Sequence, residues 1–255
     1  MSRSLALAAS LLALAVPSLA FAAPADDKLA AGDKVRLLEW DDGKALDAIP
    51  LYEEARKLGA DEFDVEWRLA STYFWAGENT KDKEKLIEYG TKGVAHAEKA
   101  AKLKPDRVEG NYYSAVCWGT LSHGKSILWA LGQGVEKKFK DAITKAKEID
   151  PKFEDGAPLN AFGRFYYELP WPKRDLAKSE KLLKTNIEAV PCNLRTHVYY
   201  AETVLAIGDK IDGKSANDVA KEHLQLVIDG THCPSNPGDG ELAKKWAKKQ
   251  LADLK

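Results

Sequence analysis

Residues 93–115 read GVAHAEKAAKLKPDRVEGNYYSA. Small Gly93, Ala97 and Ala100 recur three and four residues apart. That spacing puts them on one helix face, where a second helix can approach closely. Lys104-Pro105-Asp106 then closes the helix, because proline has no N–H to continue the ladder. Ala115 falls on the helix that follows. The same punctuation returns at Asp150-Pro151-Lys152, Val190-Pro191-Cys192 and Cys233-Pro234-Ser235, so the four prolines stand 46, 40 and 43 residues apart.

Each interval is a 34-residue tetratricopeptide period with 12, 6 or 9 residues inserted. Other positions keep the register. Ala146 precedes Pro151 and Ala161 follows it, and Ala201 follows Pro191. Gly43 and Gly77 are 34 residues apart, each at the expected end of a first helix. Ala48, Tyr52 and Ala55 come after Gly43 in small–aromatic–small order. The expected class is all-α: an α-α superhelix of about five divergent tetratricopeptide-like helical hairpins plus a C-terminal capping helix. That last helix is expected over 241–254, because an open repeat end would expose apolar surface. The third unit is expected to open at 108–119 and to carry an inserted segment at 122–131. Pro50 is placed in the first turn of its helix, where the missing N–H costs little. In Leu169-Pro170-Trp171-Pro172 the two prolines predict an extended turn that presses the indole against a neighbour.

Residues 1–22 have the layout of a secretory signal. Arg3 starts it, 5–16 is apolar, Pro17 breaks it, and Ala20-Phe21-Ala22 offers a small-x-small cleavage site. The expected organisation is a signal peptide, 1–22, and one helical repeat domain, 23–255, located in the periplasm. The 38 basic side chains face 39 acidic ones. This near-balance argues against a nucleic-acid partner.

Gly119, Gly124, Lys125 and Ser126 match the phosphate-loop pattern by letter. That chemistry needs a strand feeding a glycine-rich turn. Here a repeat helix precedes the motif, so no nucleotide site is expected. None of His96, His123, His197, His223 and His232 lies in a zinc-protease motif, and no serine sits in a nucleophile elbow. The expectation is no enzyme, no catalytic residue and no cofactor. Cys192, Cys233 and His232 lack a fourth ligand at usable spacing, so no metal is expected either. In an exported chain Cys192 and Cys233, which follow the second helices of adjacent units, are expected to form a disulfide, leaving Cys117 as a buried thiol.

Aromatic residues crowd the first helices of the units: Tyr112, Tyr113 and Trp118, then Phe162, Phe165, Tyr166 and Tyr167, then Tyr199 and Tyr200. Neighbours in a helix point about 100° apart, so both rings of a pair cannot enter one core. The surplus predicts an aromatic-lined concave surface that binds rather than reacts. Tyr113, Trp118, Arg164 and Tyr167 are the expected groove residues. Arg164 is expected to stack on a ring or to pair with an acidic group of a ligand or partner.

The stretch from Gly110 to Glu202 resembles the TRAP-transporter T-component family, TatT. The likeness rests on Gly110-Asn111-Tyr112-Tyr113, on Asp155-Gly156-Ala157-Pro158-Leu159-Asn160-Ala161-Phe162-Gly163-Arg164-Phe165-Tyr166, on Glu168-Leu169-Pro170-Trp171-Pro172, and on Asp175-Leu176-Ala177-Lys178-Ser179. A weaker likeness is to the regulator-of-microtubule-dynamics proteins, which share this kind of divergent repeat. The first resemblance implies a periplasmic partner of a solute-binding protein that passes an apolar small ligand, in some cases through a homo-oligomeric pore. Family members are often lipoproteins, and no cysteine precedes Cys117 here. The competing expectation is a general cell-envelope scaffold that holds a protein partner without a transport role.

Overall fold

The computed structural model describes residues 24–38 and 41–254. The signal-like segment 1–22 and Trp40 lie outside the described residues. No strand occurs among the described residues. Helices α1 (Pro24–Leu38) and α2 (Ile49–Lys57), joined by a 3-10 turn over Asp41–Ala48, make the first hairpin. Helices α3 (Glu62–Glu78) and α4 (Lys83–Leu103) make the second. The third pairs α5 (Val108–Gly124) with α7 (Val135–Ile149) around a short inserted α6 (Ile127–Gly132). Then come α8 (Phe153–Glu168) with α9 (Leu176–Ala189), α10 (Leu194–Ile207) with α11 (Ala216–Asp229), and the capping α12 (Pro237–Asp253).

Local chemistry sets these boundaries. Asp61, Asp82, Asp175, Asn193, Ser215 and Asn236 are N-caps whose side chains accept from first-turn amides. Each such cap contributes about 1 kcal/mol. Pro105, Pro151, Pro191 and Pro234 follow α4, α7, α9 and α11, the second helix of each of four hairpins. Pro50 sits in the first turn of α2. Helix α5 does not stop at Gly119 but runs on to Gly124. A glycine inside a helix costs about 1 kcal/mol, less than burying the α5 side chains returns. The insertion therefore begins later than the sequence suggested.

Small residues draw the helices together. Ala97, Ala100, Ala115, Ala146 and Ala201 are fully buried, as are Ala48, Tyr52 and Ala55. At Gly110 a Cβ would stand 2.4 Å from the backbone nitrogen of Ala101, so α4 and α5 touch backbone to backbone there. The core around α3, α5 and α7 continues into a second cluster under α9 to α12. Cys117 is buried in the first core, its thiol directed at the Ala70 carbonyl. Burial pushes that thiol's pKa up.

The superhelix closes on itself. Helix α12 packs on α10 and α11 and also reaches α1. Cys192 and Cys233, at the two loops flanking the last hairpin, form a disulfide with Cα atoms 4.9 Å apart. The Cys233 amide also donates to the Cys192 carbonyl at 3.1 Å. The bridge spans a sequence separation of 41. A loop of that size is worth about 2–4 kcal/mol. Reduction should therefore lower Tm by about 5–15 °C. Thermal melts with and without reductant measure this, and a Cys192→Ser variant should show no further fall on reduction.

Candidate functional site

The concave side holds a half-open cavity of about 440 Å³. Helix α8 supplies its main stripe: Ala157, Asn160, Ala161, Arg164, Phe165 and Glu168 all line it. These positions fall at i, i+3, i+4, i+7, i+8 and i+11, one face of a helix. Helix α5 adds Tyr112, Val116 and Thr120 at the same period, and α7 adds Val135 and Phe139. Phe139 stacks on Phe165 with ring centres 4.4 Å apart, which fixes the apolar wall.

At one end stands a buried ionic cluster. Arg195, 5% exposed, reaches Glu78 of α3 at 2.5 Å and Asp239 of α12 at 2.5 Å. Its guanidinium lies near the rings of Trp75 and Trp246, at 5.1 and 4.8 Å. Burial disfavours its charge, yet the Asp239, Tyr199 and Glu78 groups around it outweigh that and raise its pKa. Asn236 caps α12 and so places Asp239 in the first turn, where a carboxylate is favoured.

The cavity floor is built on unusual backbone. Glu154, Asp155 and Gly156 take left-handed φ values of 42°, 60° and 83° ahead of the regular part of α8. Pro158 then falls in that part's first turn, where the missing N–H costs little. The turn directs Glu154 at Tyr113, whose hydroxyl donates to both carboxylate oxygens at 2.7 and 2.8 Å. Burial pushes the Glu154 carboxyl up, against the pull of Arg36 and of the Tyr113 hydrogen bond. Asn193 donates to the Asp155 carbonyl at 2.8 Å, and Ser235 donates to its carboxylate. Asn160, 5% exposed, keeps its side-chain carbonyl unpartnered in the described structure.

Of the four expected groove residues, Arg164 lines the cavity and the other three do not. Tyr113 is fully buried; Glu154 takes its hydroxyl and Trp67 stacks on its ring. Its neighbour Tyr112 faces the cavity instead. Trp118 is buried, its indole N–H donating to Glu98 at 3.0 Å and Lys138 lying 4.0 Å over its ring. Tyr167 is sandwiched between Arg164 and Arg174, each 4.6 Å from its centroid. Arg164 itself is engaged by Glu202 and, at 2.5 Å, by Glu168, and it also stacks on Tyr199. Its charge is thus balanced within the fold and is not held open for an acidic ligand. Trp171 departs from expectation too: it is not pressed into the fold but is 89% exposed.

The phosphate-loop letters lie across the end of α5 and have no strand before them. The hydroxyl of Ser122, on the cavity wall, is tied to the Gly119 carbonyl at 2.9 Å. Among the described residues no group of three or more His, Cys, Asp or Glu could hold a metal ion, and no helix is long and apolar enough to cross a membrane.

No curated protein matches the chain. Among solved structures it is similar to a thermophilic TPR protein of Thermus thermophilus, with a TM-score of 0.64 and 17% identity over 89% of this chain and 99% of that one. Likeness at that identity carries the tetratricopeptide fold alone. The family described as regulator of microtubule dynamics protein 1-3 matches residues 33–229. That is the weaker of the two resemblances read from the sequence, and no match to the TRAP T-component accompanies it. The chain belongs to the regulator of microtubule dynamics protein 1-3 family.

Proposed function

We propose that the chain is a non-catalytic binding protein whose cavity holds an apolar small ligand, and that it presents this ligand to a protein partner. One observation carries the reading: the concave side of the superhelix holds a half-open pocket of about 440 Å³ backed by an aromatic wall. That volume is in the range of small-molecule sites. Asn160 adds a polar side chain to this wall. The tetratricopeptide fold supports a protein partner. The finer reading is export to the periplasm and service to a TRAP solute-binding protein. It draws on residues 1–22, the Cys192–Cys233 bridge and the motifs shared with the T-component.

The test is binding of an environment-sensitive apolar dye, followed by mass spectrometry of what native protein retains. Ala161→Trp fills the cavity and should abolish dye uptake. Asn160→Leu removes the unpaired carbonyl and should leave Tm equal or higher. Dye uptake unaffected by Ala161→Trp would refute the cavity reading. A general envelope scaffold would then be the better description.

A further inference from the structure

A second feature stands at the mouth of the cavity. Among the described residues, large exposed apolar side chains are scattered over the surface, and Trp171 at 89% exceeds the next, Leu58 at 52%. The turn carrying it is rigid: the amides of Lys173 and Arg174 both bond the Pro170 carbonyl, and Asp175 N–H bonds that of Tyr166. Leu169, Pro170 and Lys173 line the cavity from this turn, and Ala130 lines it from α6. The two elements meet again across an adjoining cleft of about 370 Å³, lined also by Lys137 and Lys140. Helix α6 has the sequence Ile127-Leu128-Trp129-Ala130-Leu131-Gly132, with no charged residue.

Charge at this end has one sign in excess. Residues 125–141 carry four lysines against Glu136 and Asp141, and residues 168–175 add Lys173 and Arg174 against Glu168 and Asp175. The acids here are paired, Glu136 with Lys173, Asp141 with Lys137, Glu168 with Arg164 and Asp175 with Lys178, which leaves Lys125, Lys138, Lys140 and Arg174 as the excess. An exposed indole on a hydrogen-bonded turn and surplus lysine are elements that seat a protein in a headgroup layer.

We propose that the cavity mouth docks on an anionic lipid bilayer, with Trp171 at headgroup depth and the surrounding lysines and Arg174 against the phosphates. A protein partner fits this end less well. A stable protein interface needs about 800 Å² per partner around a packed apolar centre, whereas here one indole stands among charges. Docking of this kind is peripheral and would bring the cavity against the lipid. It stands independently of what the cavity holds.

The experiment is co-sedimentation of the purified protein with phosphatidylcholine vesicles, with and without phosphatidylglycerol. Binding is expected to the anionic vesicles and to weaken with salt. Trp171→Ala and the double variant Lys173→Glu/Arg174→Glu should each weaken it about tenfold. Tm should hold within a degree or two in Trp171→Ala, since the side chain is exposed. Brominated lipid should quench fluorescence in the parent and not in Trp171→Phe. Ala161→Trp should dock normally, which separates this proposal from the cavity reading. Equal binding to neutral vesicles, no binding to either, or unchanged binding by Trp171→Ala would overturn it. So would a protein captured through Trp171 by a chain that ignores vesicles.

Discussion

Arg195→Met should cost about 3–5 kcal/mol, and Tm should fall by about 10 °C. The arginine is 5% exposed and holds two carboxylates that are themselves mostly covered, Glu78 at 22% and Asp239 at 18% side-chain exposure. Removing it leaves both charges facing each other in a poorly solvated pocket, and that penalty is larger than the value of the pair itself. The prediction concerns architecture as much as energy. Glu78 lies 117 residues before Arg195, so this contact joins the second hairpin to the last and shuts the superhelix. Arg195→Lys should recover only part of the loss, since a compact ammonium lacks the spread donors of the planar guanidinium and its place over the Trp75 and Trp246 rings. The triple variant Arg195→Met, Glu78→Gln, Asp239→Asn should recover at least half, because no buried charge is then left unpaired. If the single variant melts within about 2 °C of the parent, the cluster is not what closes the ring.

That contact also marks where sequence reading ran out. The hairpins were legible because their signals are local. A proline ends each of four second helices, an Asp, Asn or Ser caps the start of many, and small residues recur at helical spacing. No local rule pairs Arg195 with a glutamate 117 residues away. The cavity shows the same division. The stripe Ala157, Asn160, Ala161, Arg164, Phe165, Glu168 keeps the helical period and is legible from spacing, whereas the densest aromatics do not mark it. Density misled because a large ring is more often packing than surface. Tyr112 and Tyr113 are a case that the dipeptide itself cannot resolve. Glu154, 41 residues on, takes the Tyr113 hydroxyl, and the neighbouring ring is left for the cavity. At Trp171 the prolines did set the turn. Whether anything lay within reach of the indole was a question of tertiary placement.

Gly156→Ala should lower stability by about 2–4 kcal/mol, for two separate reasons. Its φ of 83° lies where a Cβ crowds the following carbonyl. There is also no room, because a Cβ would stand 1.9 Å from the Asn186 side-chain oxygen. Asn186 is fully buried and donates to Thr196 at 2.8 Å, so it cannot swing aside without losing that bond. Gly119→Ala is the matched control. It lies inside α5 on the cavity wall, and its Cβ would meet Phe139 at an ordinary 3.9 Å. There alanine should add about 0.5–1 kcal/mol through helix propensity. Chemical denaturation of the two variants should therefore move their midpoints in opposite directions. Equal midpoints would mean that the backbone at 154–156 is not held left-handed. Glu154 would then be free to leave Tyr113, and the cavity floor would not be a fixed surface at all.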